Sequence, residues 1–251
     1  MRLATSLVFR KRTDESSTIS VEARRRLTRL VSFLLALCLT SPSWAFPDNA
    51  VLENFTGADN TSPPNANWTN AVFVGASSGN LRIRSNAAAT SSTGVDGEAC
   101  WNPTTFDADC EAYATITDVA STSFGQLYAR LVNIGANTTD GYRAEWADGT
   151  SAITIDRIDN GVVTQLGATV TQAIMTTDKI GMKLVGDQIC LWFSDSGGAW
   201  TELTCRTDAT YSAGGRIGMG VNNNALVGSM DDFGGGNVTA AFPGGTRRRG
   251  G

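Results

Sequence analysis

Between residues 50 and 233, apolar and polar residues alternate in short runs separated by Gly, Ser, Thr, Asn and Asp. Successive strand residues point to opposite faces, so a period of two predicts β-strands with one core face and one polar face. Many such short runs predict an all-β sandwich. In 111–118, Ala112, Ala114 and Ile116 oppose Tyr113, Thr115 and Thr117. In 126–131, Leu127, Ala129 and Leu131 oppose Gln126, Tyr128 and Arg130. Tyr142, Ala144 and Trp146 oppose Arg143 and Glu145, and Ile153 and Ile155 oppose Thr154 and Asp156. No long stretch carries a 3.6-residue period. A short helical turn is expected only within 170–182, ahead of a strand at 180–184.

Turn chemistry links these runs into hairpins. Asp159-Asn160-Gly161 separates two strand patterns, a strong hairpin signal. Gly197-Gly198 separates 189–193 from 200–205; a two-residue turn there makes facing residue numbers sum to 395, as Cys190 and Cys205 do. In a regular ladder that position is a hydrogen-bonded pair, where side chains stand farther apart, so the pairing calls for a bulge or a longer loop. Four cysteines follow residue 45, as two near pairs: Cys100 with Cys110, and Cys190 with Cys205. An even count at short spacing in an exported chain reads as disulfides, although four cysteines allow three connectivities.

Export is expected from the N-terminus. Arg24, Arg25, Arg26 and Arg29 precede an apolar run from Leu30 to Leu39, and Ser43-Trp44-Ala45 supplies small residues for cleavage after Ala45. Residues 1–45 therefore read as a signal peptide, too short in its apolar part to span a bilayer. The chain from 46 to 235 is the expected sandwich, and the Gly-rich segment 236–251, with Arg247, Arg248 and Arg249, reads as a disordered tail. After residue 45 the chain holds 12 basic and 21 acidic residues, a net charge of about −9. An acidic body repels phosphate backbones, so no nucleic-acid partner is expected, nor membrane insertion once the signal is removed. There is no histidine. Imidazole is thereby excluded as base, acid or metal ligand.

In order along the chain, several segments resemble the concanavalin A-like, laminin-G-type jelly rolls of bacterial exported proteins and phage structural proteins. They are 53–59 with 67–69, Leu127-Tyr128-Ala129-Arg130, Gly141-Tyr142-Arg143-Ala144-Glu145, 183–187, 214–219 and Met230-Asp231-Asp232-Phe233. The resemblance implies a two-sheet antiparallel β-sandwich with a concave face on which relatives often bind sugars. Its central strands would present Tyr113, Tyr128, Arg130, Arg143, Glu145 and Asp156. Aromatic faces and planar polar groups are what pyranose rings and hydroxyl pairs need. The same residues also suit an ordinary solvated sheet face with cross-strand ion pairs.

Trp68 and Trp146 read as core, whereas Trp101 and Trp200 fit either exposed platforms or covers over a disulfide. Asp59, Asp231 and Asp232 are the carboxylates open to a calcium ion, but no DxDxDG-type loop exists, so no cofactor and no metal are expected. The Glu-x-Asp-x-Glu string of laminarinase-like hydrolases is absent. Arg130 and Arg143 beside Glu145 and Asp156 would keep both carboxylates ionised, leaving no general acid. The expectation is a secreted, periplasmic or cell-surface module, non-catalytic, binding an extracellular glycan or surface polymer. The alternative is a structural or adhesive module of a cell surface or virion.

Overall fold

The computed structural model describes residues 46–238 except 77, 120–123, 148–149 and 224–225. The expected signal segment and the Arg247–Arg249 tail lie outside the described residues. Sixteen strands follow in chain order: β1 (Val51–Glu53), β2 (Trp68–Asn70), β3 (Gly79–Arg84), β4 (Ala87–Thr90), β5 (Gly97–Trp101), β6 (Cys110–Ile116), β7 (Phe124–Val132), β8 (Asp140–Ala147), β9 (Ala152–Asp159), β10 (Val162–Gln165), β11 (Val170–Thr171), β12 (Lys179–Val185), β13 (Gln188–Ser194), β14 (Thr201–Thr207), β15 (Arg216–Asn222) and β16 (Met230–Asn237). No helix occurs among the described residues; 170–182 holds β11, a turn and the start of β12 instead of a helical turn. The closing strand runs to Asn237, two residues past the expected boundary at 235.

The front sheet is ordered β10-β9-β8-β7-β15-β5, and the back sheet β4-β16-β6-β12-β13-β14. Strand β3 joins them, antiparallel to β4 and parallel to β5, the one parallel pairing among the described residues. Between the sheets lies the main core. Leu127, Ala129, Tyr142, Ala144, Trp146, Ile153 and Ile155 face Ala112, Ala114, Ile116, Ile180, Met182 and Leu184 across it. The alternation in the sequence reads these inward positions correctly. Trp68 and Trp146 are core residues, and so is Trp101, packed edge-on against Trp68 at 5.5 Å and no exposed platform. Gly125 lets Trp146 lie flat: a Cβ there would stand 2.0 Å from the indole.

Both hairpins form. Asn160 and Gly161 turn β9 into β10 with φ of 49° and 74°, the left-handed pair of a type I′ turn. Between β13 and β14 the register shifts after Leu191↔Thr204, leaving Leu203 as an extra residue. This bulge brings Cys190 opposite Cys205 at a Cα separation of 4.0 Å, and they form a disulfide. Cys100 and Cys110 do not pair, contrary to expectation. Both are buried free thiols, one in β5 of the front sheet and the other in β6 of the back sheet. Cys110 faces the core while Cys100 faces outward into a second apolar cluster, so nearness in sequence does not become nearness in space.

Candidate functional site

The outward face of the front sheet carries most of the polar residues expected at a site. Tyr128, Arg143 and Asp156 stand in register across β7, β8 and β9, and Gln126, Glu145 and Thr154 form the next row. Strand β15 lies between β7 and β5, and its outward positions are Gly218 and Gly220. Side chains from both flanking strands lie over this bare strip. A Cβ on Gly220 would meet Gln126 Oε1 at 2.3 Å, and across the strip the Tyr128 hydroxyl donates to Glu98 Oε1 at 2.7 Å.

One half of the face is roofed. Phe73 packs edge-on over Tyr128 at 4.6 Å, and its backbone N–H donates to Glu98 Oε2 at 2.8 Å. Phe73, Cys100, Tyr128, Leu131 and Ile158 make a small second core beneath this roof. The other half is polar and half-open: Asp96, Glu145, Thr154 and Asn222 are half-buried, above the buried Gln126, Arg143 and Asp156. Asn222 donates to Asp96 Oδ1 (2.9 Å), while Gln126 Nε2 donates to Asp96 Oδ2 (3.2 Å) and Glu145 Oε2 (3.0 Å). Arg143 joins Glu145 through Nη1 (2.7 Å) and Asp156 through Nε (3.0 Å) and Nη2 (2.8 Å). A pocket of about 200 Å³ opens beside this network, lined by Val74, Ser78, Gly94, Val95, Asp96, Glu98 and Asn222.

Electrostatics follow from burial. Glu98 is 1% exposed, and loss of water pushes its pKa up to about 7, helped by nearby Asp96; the Phe73 amide, the Tyr128 hydroxyl and Arg143 only partly offset this. Burial raises Tyr128 well above the ordinary phenol range. For Arg143, burial alone would lower the pKa, but Tyr128, Glu145 and Asp156 prevail and hold it above the normal guanidinium value. Three of its five N–H groups are directed to the two carboxylates. Arg143 is buried whereas Glu145, Asp96, Asn222, Ser78 and Thr154 are half-buried, so a ligand meets those five first.

Two expected residues stand elsewhere. Arg130 leaves the face at a β-bulge, where Arg130 and Leu131 together oppose Gly141 and Arg130 takes φ of 52°. Its guanidinium, 1% exposed, donates to the carbonyls of Ala108 (2.7 Å), Tyr211 (2.9 Å) and Gly186 (2.7 Å), pinning three loops at one end of the sandwich. The same bulge turns Leu131 outward under the roof. Tyr113 belongs to β6 and so to the outer face of the back sheet, where its hydroxyl donates to the Asn49 carbonyl at 2.9 Å. Burial, with Glu111 and Asp232 nearby, pushes its pKa up to about 12.

Asp96, Glu98 and Asn222 complete the network and are not among the residues expected from sequence, while Gln126 is expected on the polar face but not as a site residue. Their signal was the Gly-x-Gly of 218–220 between Ile217, Met219 and Val221, which marks a strand with one side-chain-free face. Asp59, Asp231 and Asp232 do not converge. Asp59 lies 3.7 Å from Arg84 and accepts the Ser85 amide, and Asp232 accepts the Thr115 hydroxyl. Among the described residues, three ligand-bearing side chains meet only at Cys190, Glu202 and Cys205, whose sulfurs are joined to each other. A larger groove of about 600 Å³ between 105–108, 131–134 and 214–216 mixes apolar residues (Phe106, Ala108, Leu131, Val132, Ile134) with Thr105, Asp107, Asn133 and Arg216. Arg216, its single cation, directs Nη1 to the carbonyls of Trp101 and Asn102.

No protein-family model matches the chain, and no curated protein matches it. Solved structures do. The exoplasmic/lumenal domain of VIP36 in its Ca2+/Man2-bound form is 10% identical over 77% of this chain and 89% of that one, with a TM-score of 0.52. Its metal-free form matches equally well, at 10% identity, 76% and 92% coverage and a TM-score of 0.52. The carbohydrate binding module CBM66 from Bacillus subtilis is 18% identical over 69% of this chain and 94% of that chain, with a TM-score of 0.47. What the VIP36 likeness establishes is the fold, an all-β sandwich of jelly-roll type.

Proposed function

We propose that this protein is an exported, non-catalytic glycan-binding module that uses the open half of the front-sheet face. The observation that carries this is the chain of linked polar groups from Asn222 through Asp96, Gln126 and Glu145 to Arg143, ending at a small polar pocket. Pre-oriented carboxylates and amides beside a concavity suit the paired hydroxyls of a pyranose. The VIP36 domain, of the same fold, is described with mannose-containing ligands and Ca2+ bound. Export is supported by the signal-like N-terminus and the Cys190–Cys205 disulfide. Against catalysis, Arg143 holds both Glu145 and Asp156 in ion pairs, and Glu98, the one carboxyl here with a pKa near 7, has both oxygens engaged under Phe73.

The test is a glycan array on the purified full chain, with and without calcium, beside Asn222→Ala and Glu145→Ala. Binding that weakens about tenfold in each variant, as expected for loss of one well-made polar contact, supports the site. Calcium dependence would add a metal to it. Absence of binding to any glycan overturns this reading in favour of a structural or adhesive module.

A further inference from the structure

The back sheet's outer face carries an aromatic cage with a guest already inside. Trp192 of β13, Trp200 in the turn before β14 and Tyr113 of β6 surround the ring of Phe46. Trp192 stacks parallel to it (5.2 Å, 9°), and Trp200 (4.7 Å, 79°) and Tyr113 (6.2 Å, 75°) meet it edge-on. The floor is Gly181, where a Cβ would lie 2.1 Å from the Phe46 ring; only glycine leaves room for a flat guest. Gly181 pairs with Tyr113 on one side and Trp192 on the other, so three adjacent strands build the cage in register.

A strap, residues 46–49, brings the guest in. The strap is anchored independently of the Phe46 ring. Glu111 Oε1 accepts the amides of Asp48 (2.7 Å) and Asn49 (2.8 Å) and the Asn49 side chain (3.0 Å), while Lys183 Nζ donates to Asp48 at 2.8 Å. Yet the fit is chemically incomplete. Four buried side-chain polar atoms lack a hydrogen-bond partner among the described residues, and two of them lie under this strap. One is Trp192 Nε1, on the indole that stacks against Phe46 and 6% exposed as a residue; the other is Glu111 Oε2, two residue pairs along the sheet from Tyr113 on the same face and 3.9 Å from Lys183 Nζ. A phenyl ring offers no donor to the Glu111 carboxylate. A pyranose in its place packs its axial C–H face on the indole as the phenyl does, and its edge hydroxyls supply the donor that the phenyl lacks.

We propose that the Tyr113–Trp192–Trp200 cage is a second carbohydrate site, shaped for a pyranose with all substituents equatorial, and that Phe46 plugs it in cis. The proposal stands on the back sheet alone and does not require the front-face site. A tethered guest acts at millimolar effective concentration, so the plug masks any sugar of comparable intrinsic affinity. Removing the ring while keeping the strap should unmask it.

The experiment titrates cellohexaose into the full chain and its Phe46→Ser variant by calorimetry. The expected result is a Kd at least tenfold lower in the variant, unaffected by Asn222→Ala and abolished by adding Trp192→Ala. A folded Phe46→Ser protein with unchanged affinity overturns the proposal, as does a gain that survives Trp192→Ala. Should Phe46→Ser not fold, 4-fluorophenylalanine at position 46 in the otherwise unaltered chain gives the answer by 19F NMR. Displacement of the plug by millimolar cellohexaose moves the resonance toward its solvent-exposed position, and a resonance that stays in place overturns the proposal.

Discussion

The two sheets each cover part of their outer face with a short run of chain led by a phenylalanine, but the chemistry beneath differs. On the front, Phe73 roofs Tyr128, and its amide satisfies Glu98, so the covered half has its polar atoms paired and the open half carries the linked acids and amides. On the back, Phe46 sits in a three-ring cage and leaves Trp192 Nε1 and Glu111 Oε2 without hydrogen bonds. A buried polar atom without a partner costs about 1–3 kcal/mol, so a fully paired cover reads as core and a partly paired one as a seat another guest could fill better. The front site is thus recognised by what remains open, and the back cage by what its present guest fails to supply.

The largest expected effect comes from Arg130, which holds the end of the sandwich shared by both faces. Arg130→Met keeps the apolar stem but strands three loop carbonyls; a loss of about 4 kcal/mol is expected from urea unfolding, with both faces affected together. A loss below about 1 kcal/mol would show that the loops hold themselves.

Glu98 separates the faces by pH. Its folded pKa is about 7 and its ordinary value 4.5, so between those values the folded protein keeps a proton that the unfolded chain has released. The folded state then binds more protons, and stability falls as pH rises through this window, by roughly 3 kcal/mol in all. Thermal unfolding between pH 4.5 and 7.5 should show that slope, and Glu98→Gln should flatten it. An equal slope in the variant would move its origin away from the front face.

The disulfide gives a comparable effect confined to the back. Its sequence separation is 15, and the double change Cys190→Ser with Cys205→Ser should cost about 3 kcal/mol by the loop-closure estimate. Tryptophan fluorescence should report a looser Trp200, while Cys100 and Cys110 remain titratable thiols in denaturant before and after. If either of those thiols proves oxidised, the assignment of one disulfide fails.

Much of this architecture was legible in the sequence because strand alternation is a local consequence of backbone geometry. Ala112, Ala114 and Ile116 had to share a face whatever they packed against, and Asn160-Gly161 had to turn because its left-handed conformation suits few other pairs. The Cys190–Cys205 pairing followed from a hairpin, where register is set by residues close in the chain. The site was less legible. Arg130 and Leu131 exchange their expected sides because a bulge inserts one residue, and that bulge depends on the close approach of Gly141 in β8 and of Gly215 just ahead of β15; Cβ atoms there would stand 3.0 Å and 2.7 Å from the Arg130 backbone.

Local spacing thus determined the strands, the core-facing positions, two hairpins and one disulfide. The tertiary structure decided which outward residues share a sheet: it set Tyr113 on the opposite layer from Tyr128 and separated Cys100 from Cys110. It also brought Asp96, Glu98 and Asn222 beside Gln126, and laid Phe46 against Trp192 from 146 residues away. The physical reason is that side-chain direction repeats every two residues along a strand, whereas the order of strands in a sheet is set by contacts between segments far apart in the chain.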